Sequence, residues 1–182
     1  MNSIIQSDLF RYNGLNGFRG LINGFQYPGF RYMFFLRKSA SSSKYSPLGF
    51  FYRLMLNRYK YKYGFQIPAN TKIGKGFFIG HFGTIVINSK AIIGENCNFS
   101  HGVTIGKANR GKLKGVPVLG NRVWVGTGAV IVGNVKIGSD VLIAPNAYVN
   151  FDVPDHSIVL GNPGKIIERL NPTEGYINNQ WL

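Results

Sequence analysis

Aliphatic residues recur every six positions through the second half of this 182-residue chain, at Leu119, Val125, Ile131, Ile137, Ile143 and Val149. Smaller or branched apolar residues precede the last five by two positions, at Val123, Ala129, Val135, Val141 and Ala147. Small residues follow directly at Gly120, Gly126, Gly138 and Ala144, and the same unit stands upstream at Ile73-Gly74, Ile79-Gly80, Ile93-Gly94, Phe99-Ser100 and Ile105-Gly106. A period of six does not suit an amphipathic helix, whose apolar stripe follows 3.6 residues. It suits short strands joined by tight turns that need a permissive small residue. Stacked coils bury the aliphatic series in a continuous core and pair each strand with the coil above. The repeat therefore predicts a mainly β solenoid, and a solenoid must be capped at its ends.

The rest of the chain supplies the caps. Residues 1–65 hold ten Lys/Arg against the single acid Asp8, and 17 of the 26 aromatic residues. We expect a basic, aromatic, mainly helical region over 1–65, a β-helix over 66–153, and a C-terminal cap over 154–182. The aromatic and apolar content excludes disorder, and the one cysteine, Cys97, excludes a disulfide scaffold. Cys97 falls at an inward position of its repeat, so it reads as core packing. Residues 1–11 lack the pattern of a secretory signal, and Leu21–Leu36 is too interrupted to span a membrane. The expected location is cytoplasmic, with peripheral contact at the inner face of the membrane as a further reading.

The segments IGKGFFIGHFGTIVIN, SHGVTIG, VWVGTGAVIVGNVKIG and VPDHSIVLGNPGKII resemble the hexapeptide-repeat acyltransferases, over about residues 66–170. Within these, the resemblance is to the serine O-acetyltransferase-like branch that includes capsule and colanic-acid O-acetyltransferases. It implies a left-handed parallel β-helix with three hexads per coil, acetyl-CoA as acyl donor with no metal, and a homotrimer with active sites between subunits.

The six-residue count breaks twice. Ile79 and Ile93 are separated by two hexads plus two residues. Ile105 and Leu119 are separated by the same number, but there the segment 107–117 is glycine-rich and basic and reads as an extruded loop. His81 and His101 occupy the same hexad position, two residues after Ile79 and Phe99. They are 20 residues apart, one 18-residue coil of the implied fold plus the insertion. This places them outward on adjacent coils, with the loop expected close to His101. A base near neutral pKa is what acyl transfer to a hydroxyl requires. By resemblance His81 falls on the catalytic base, and His101 either shares that role or orients His81. A backbone N–H near Gly102 or Gly106 is the expected oxyanion donor. Three converging imidazoles, as a zinc site would need, are not in prospect, because His156 lies several coils away.

For coenzyme A, the resemblance points to Gly106 and Lys107 at the loop base, Thr127 and Gly128, Pro145 and Asn146, and Lys165. Each glycine equally suits plain turn geometry. The family's acid before the histidine is replaced by Gly80, and its second histidine by Val116 before Pro117. Both departures argue against L-serine, so the expected acceptor is a sugar hydroxyl of a surface polysaccharide or its precursor, with a lipid-linked precursor as a further reading. Serine O-acetyltransferase activity and a non-catalytic scaffold are the alternatives. The formal charge of +14 raises nucleic acid as a partner, but no nucleic-acid motif is present. Pro47–Phe65 mixes apolar and basic residues at helical spacing, which fits either an interfacial helix or a cap packed on the solenoid.

Overall fold

The computed structural model describes residues 3–182. Four helices come first: α1 (Ser3–Phe10), α2 (Gly17–Gly24), α3 (Pro28–Ser41) and α4 (Pro47–Tyr63). The strands follow as β1 (Phe65–Gln66), β2 (Lys72–Ile73), β3 (Phe78–Ile79), β4 (Ile85–Ile87), β5 (Ile92–Ile93), β6 (Asn98–Phe99) and β7 (Thr104–Gly106). Then come β8 (Val118–Leu119), β9 (Val123–Val125), β10 (Val130–Val132), β11 (Lys136–Ile137), β12 (Val141–Ile143), β13 (Tyr148–Val149), β14 (Ser157–Leu160) and β15 (Lys165–Glu168).

As far as β13, every third strand belongs to the same sheet. The three sheets run β1-β4-β7-β10-β13, β2-β5-β8-β11 and β3-β6-β9-β12-β14-β15, parallel throughout except for β15. Val125 pairs with Ile143, eighteen residues on, so one coil is three hexads. The aliphatic series forms the core: Leu119, Val125, Ile131, Ile137, Ile143 and Val149 are all buried, with Cys97 among them. Burial pushes the Cys97 thiol up to about 12, so it is not a nucleophile at neutral pH.

α4 begins at Ser46, whose hydroxyl accepts from Gly49 N at 3.0 Å, with Pro47 in the first turn. It ends at Gly64, whose φ of 76° is the left-handed conformation that stops a helix and turns the chain into β1. No helix among the described residues is long and apolar enough to cross a membrane.

The first coil has no coil beneath it, so its backbone groups need other partners. Side chains from the helices supply them. Tyr32 Oη donates to Ile67 O at 2.9 Å, and Arg37 donates to Ile73 O at 2.7 Å and Gly74 O at 2.6 Å. Asp8 accepts from Phe77 N at 2.9 Å, Ser7 Oγ accepts from Gly76 N, and Tyr12 Oη donates to Ile79 O. Asp8 and Arg37 also form a buried two-point ion pair, at 2.9 and 3.2 Å.

At the other end, β15 folds back on β14. The tail after Asn171 then returns along the outside of the third sheet. Thr173 donates to the buried Asp140, Tyr176 packs on Trp124, and Asn96 and Asn98 bond the backbone of Trp181 and Tyr176. Trp181 reaches Phe10 of α1, so the tail ties the last coils to the first helix.

Two outcomes follow from these anchors. Asp8→Ala leaves Arg37 buried and uncompensated, which should cost about 3–5 kcal/mol in urea unfolding. Asp8→Leu with Arg37→Met should recover only part of that, because Ile73 O and Gly74 O lose their donor. The second outcome concerns pH. Burial raises the Asp140 carboxyl, but hydrogen bonds from Thr173 and His156 and the charge of Arg122 outweigh it and hold it below the ordinary 3.8. A depressed folded pKa means this anchor is intact above that value and is lost as pH falls through the lower one. Trp181 fluorescence should report tail release in that acid window in the native chain, and Asp140→Asn should remove the transition.

Candidate active site

The register places the extra residues of the first period break. Ile79 pairs with Phe99, twenty residues on, whereas Ile87 pairs with Ile105, eighteen on. The two additional residues therefore lie between Ile79 and Ile85, in the turn that carries His81. This corner, between the third sheet and the first, is widened in the first coil only.

His81 and His101 sit on that corner, both solvent-exposed, with ring centroids 5.9 Å apart and planes nearly perpendicular. Gly83 makes the pairing possible. Its φ is +139°, and a Cβ there would meet the His101 Cβ at 3.0 Å. Phe82, the residue after His81, is 67% exposed.

Extending the pairing of β3, β6, β9 and β12 by two residues stacks His81, His101, Thr127 and Pro145 on one corner. The next positions, Gly102, Gly128 and Asn146, stack likewise. Gly128 N donates to His101 O at 3.1 Å, and Asn146 N to Thr127 O at 2.9 Å. A Cβ on Gly102 would lie 3.0 Å from Gly128 N, and one on Gly128 would lie 2.3 Å from Asn146 Oδ1. Both glycines have positive φ, so turn geometry alone demands them. Six of the residues singled out in the sequence thus share one ridge running up from the histidines: His81, His101, Thr127, Gly128, Pro145 and Asn146.

The remaining three are placed elsewhere. Gly106 and Lys107 lie at the far end of β7, one corner on from His101. Lys165 is exposed in the terminal β14-β15 hairpin. The loop after β7 is closed by paired bonds between Ala108 and Gly115, and Leu113 O accepts from Asn134 N. It packs over the Gly133 turn, so it does not lie beside His101 as expected, and Lys107, Arg110, Lys112 and Lys114 all point to solvent. The physical reason is that β7 itself separates the two corners. Gly102 N–H is already spent on Thr84 O at 2.6 Å and is no free oxyanion donor. His156 joins Asp140, with Nδ1 2.8 Å from Oδ2, and belongs to the tail anchor. Among the described residues no three His, Cys, Asp or Glu side chains converge. Gly83 is a site residue that the six-residue repeat does not single out. Its signal was the Ile85-Val86-Ile87 alternation, which fixes the extra residues before Ile85.

Residues 117–150 match the bacterial transferase hexapeptide family (six repeats). This is a left-handed hexapeptide-repeat β-helix. Over 106 residues, 58% of this chain, it is 42% identical to a serine acetyltransferase of Helicobacter pylori and spans 62% of that protein's length. It therefore covers less than two thirds of that relative. The crystal structure of a Neisseria gonorrhoeae serine acetyltransferase with bound serine is 26% identical. It superposes with a TM-score of 0.71 over 89% of this chain and 67% of its own. A Brucella abortus serine acetyltransferase with bound coenzyme A is 24% identical and shares the fold, with a TM-score of 0.75 over 92% of this chain and 67% of its own.

These relatives overturn one expectation. Gly80 and Val116 suggested a polysaccharide hydroxyl as acceptor, yet the similar proteins are serine acetyltransferases. Two substituted positions weigh less than the identity spread over the whole β-helix. The saccharide acceptor is therefore withdrawn.

The geometry makes a direct prediction. Gly83→Ala adds a methyl group at a forbidden φ and against His101, a local strain of about 1–3 kcal/mol. It should shift the imidazole NMR signals of His81 and His101 while leaving those of His156 in place.

Proposed function

We propose that this chain transfers the acetyl group of acetyl-CoA to the hydroxyl of L-serine. The observation that carries the reading is the histidine pair on a widened corner, at the foot of a ridge of small residues. It is supported by the serine acetyltransferases that the β-helix resembles. His81 takes the hydroxyl proton as the serine oxygen bonds to the thioester carbonyl carbon. The tetrahedral intermediate collapses by breaking the C–S bond. The proton passes from His81 to the departing sulfur, giving O-acetylserine and free coenzyme A. No acyl-enzyme is needed, which agrees with the inert, buried Cys97.

His101, edge-on to His81, holds the base in place where the family has an acid. Thr127, Gly128, Pro145 and Asn146 form the track for the pantetheine arm, their small side chains letting it approach the backbone. Lys107, Lys165 and the loop cations are available to the phosphates. The resemblance further implies a homotrimer, in which the loop of one subunit meets the histidine corner of the next.

The test is thiol release from acetyl-CoA with L-serine, with the product identified by mass. His81→Ala should lower turnover by about 10²–10⁴-fold. It should leave the circular dichroism spectrum and assembly size unchanged. Folded wild-type protein that releases no thiol with L-serine overturns the acceptor. Full activity in the His81→Ala variant overturns the base.

A further inference from the structure

The helical region carries an exposed face that the site does not use. On α4 the exposed stripe is Phe51, Leu54, Arg58, Tyr61 and Lys62, at spacings of three, four, three and one, with Leu48 and Phe50 flanking it. Only Gly49 and Tyr63 of this helix are buried, so its apolar positions largely face solvent rather than the β-helix. Phe50 is 66% exposed and Leu54 55%. On α2 the exposed face is Phe18, Arg19 and Ile22, with Phe18 77% exposed. Phe18, Lys38 and Tyr52 line the same groove, which brings α2 and α4 to one side of the helical region.

Charge identifies what this face suits. Asp8 is the only acid of residues 3–65, and it is buried against Arg37. The surface of the helical region therefore presents Arg19 and, from α4 and the turn before it, Lys44, Arg58 and Lys62, with no carboxylate among them. Two copies meeting through this face would set like charges together, which opposes self-association. An anionic lipid surface answers both halves of the pattern. The apolar side chains enter the boundary between headgroups and acyl chains, and the cations meet the phosphates.

We propose that α2 and α4 form a docking face for an anionic membrane surface, on which the protein lies without spanning it. The inference does not depend on the acceptor.

The test uses the full chain and sedimentation with vesicles of phosphatidylcholine alone or with phosphatidylglycerol added. The wild type should bind the anionic vesicles at low salt, release them as salt rises, and bind the neutral ones weakly. Phe51→Ser with Leu54→Ser, and separately Arg58→Glu with Lys62→Glu, should each lower the partition coefficient about tenfold or more. Circular dichroism of both variants should match the wild type. Absence of binding at low salt, or equal binding of the wild type and both variants, overturns the proposal. So does concentration-dependent doubling of the assembly that these substitutions abolish, since the face would then belong to a second copy.

Discussion

The open lower edge of the first coil is the constraint on which the rest of the structure depends. A parallel β-helix satisfies its backbone by stacking, and the first coil has only one neighbour. Here that coil is closed by side chains: Arg37 on the carbonyls of Ile73 and Gly74, Tyr32 on Ile67, Tyr12 on Ile79, and Asp8 and Ser7 on the amides of Phe77 and Gly76. Long side chains that carry several donors, or an aromatic body with a polar tip, suit this work, because they bury apolar area while reaching a backbone atom. The helices are thus part of the solenoid's hydrogen bonding. Because β3 and the turn after it belong to this same coil, whatever fixes its edge also fixes the start of the widened corner.

Much of the fold was legible because a period of six in aliphatic residues has one economical packing, the three-sided coil. Leu119 to Val149 lie buried in the order in which they recur. The edge-closing role of Tyr12, Tyr32 and Arg37 was not legible. Nothing in the local sequence distinguishes a cation that caps a carbonyl 36 residues away, as Arg37 does for Ile73, from one that sits in solvent. The return of the tail was hidden for the same reason. Asn96 lies in a turn and Asn98 in β6, and nothing local shows that their amides are used by Trp181 and Tyr176.

At the site, spacing located the histidines and stacking explains why. Positions that follow the inward residue by two fall on a corner, and successive coils repeat that corner every 18 residues plus whatever the coil inserts, two residues before His101 and eight before Thr127. His81, His101, Thr127 and Pro145 could therefore be grouped without a structure. The loop could not be placed, because spacing tells where a chain leaves the coil but not toward which corner it folds. The acceptor was misjudged for a different reason. Gly80 and Val116 are single positions, and a departure at one contact does not measure how the rest of a pocket is shaped.

The two extra residues at His81 also explain why the histidine pair sits at a corner and not on a sheet face. Along a strand each outward side chain is fixed by the register of the coils above and below, so the spacing between neighbours cannot be adjusted. A turn tolerates insertion because only its ends are pinned, here by Ile79 in β3 and Ile85 in β4. The insertion is accommodated by Gly83 in a conformation closed to other residues, and it brings a second coil's histidine edge-on to the first. A rigid repeat thereby acquires one adjustable position, and His81 stands there.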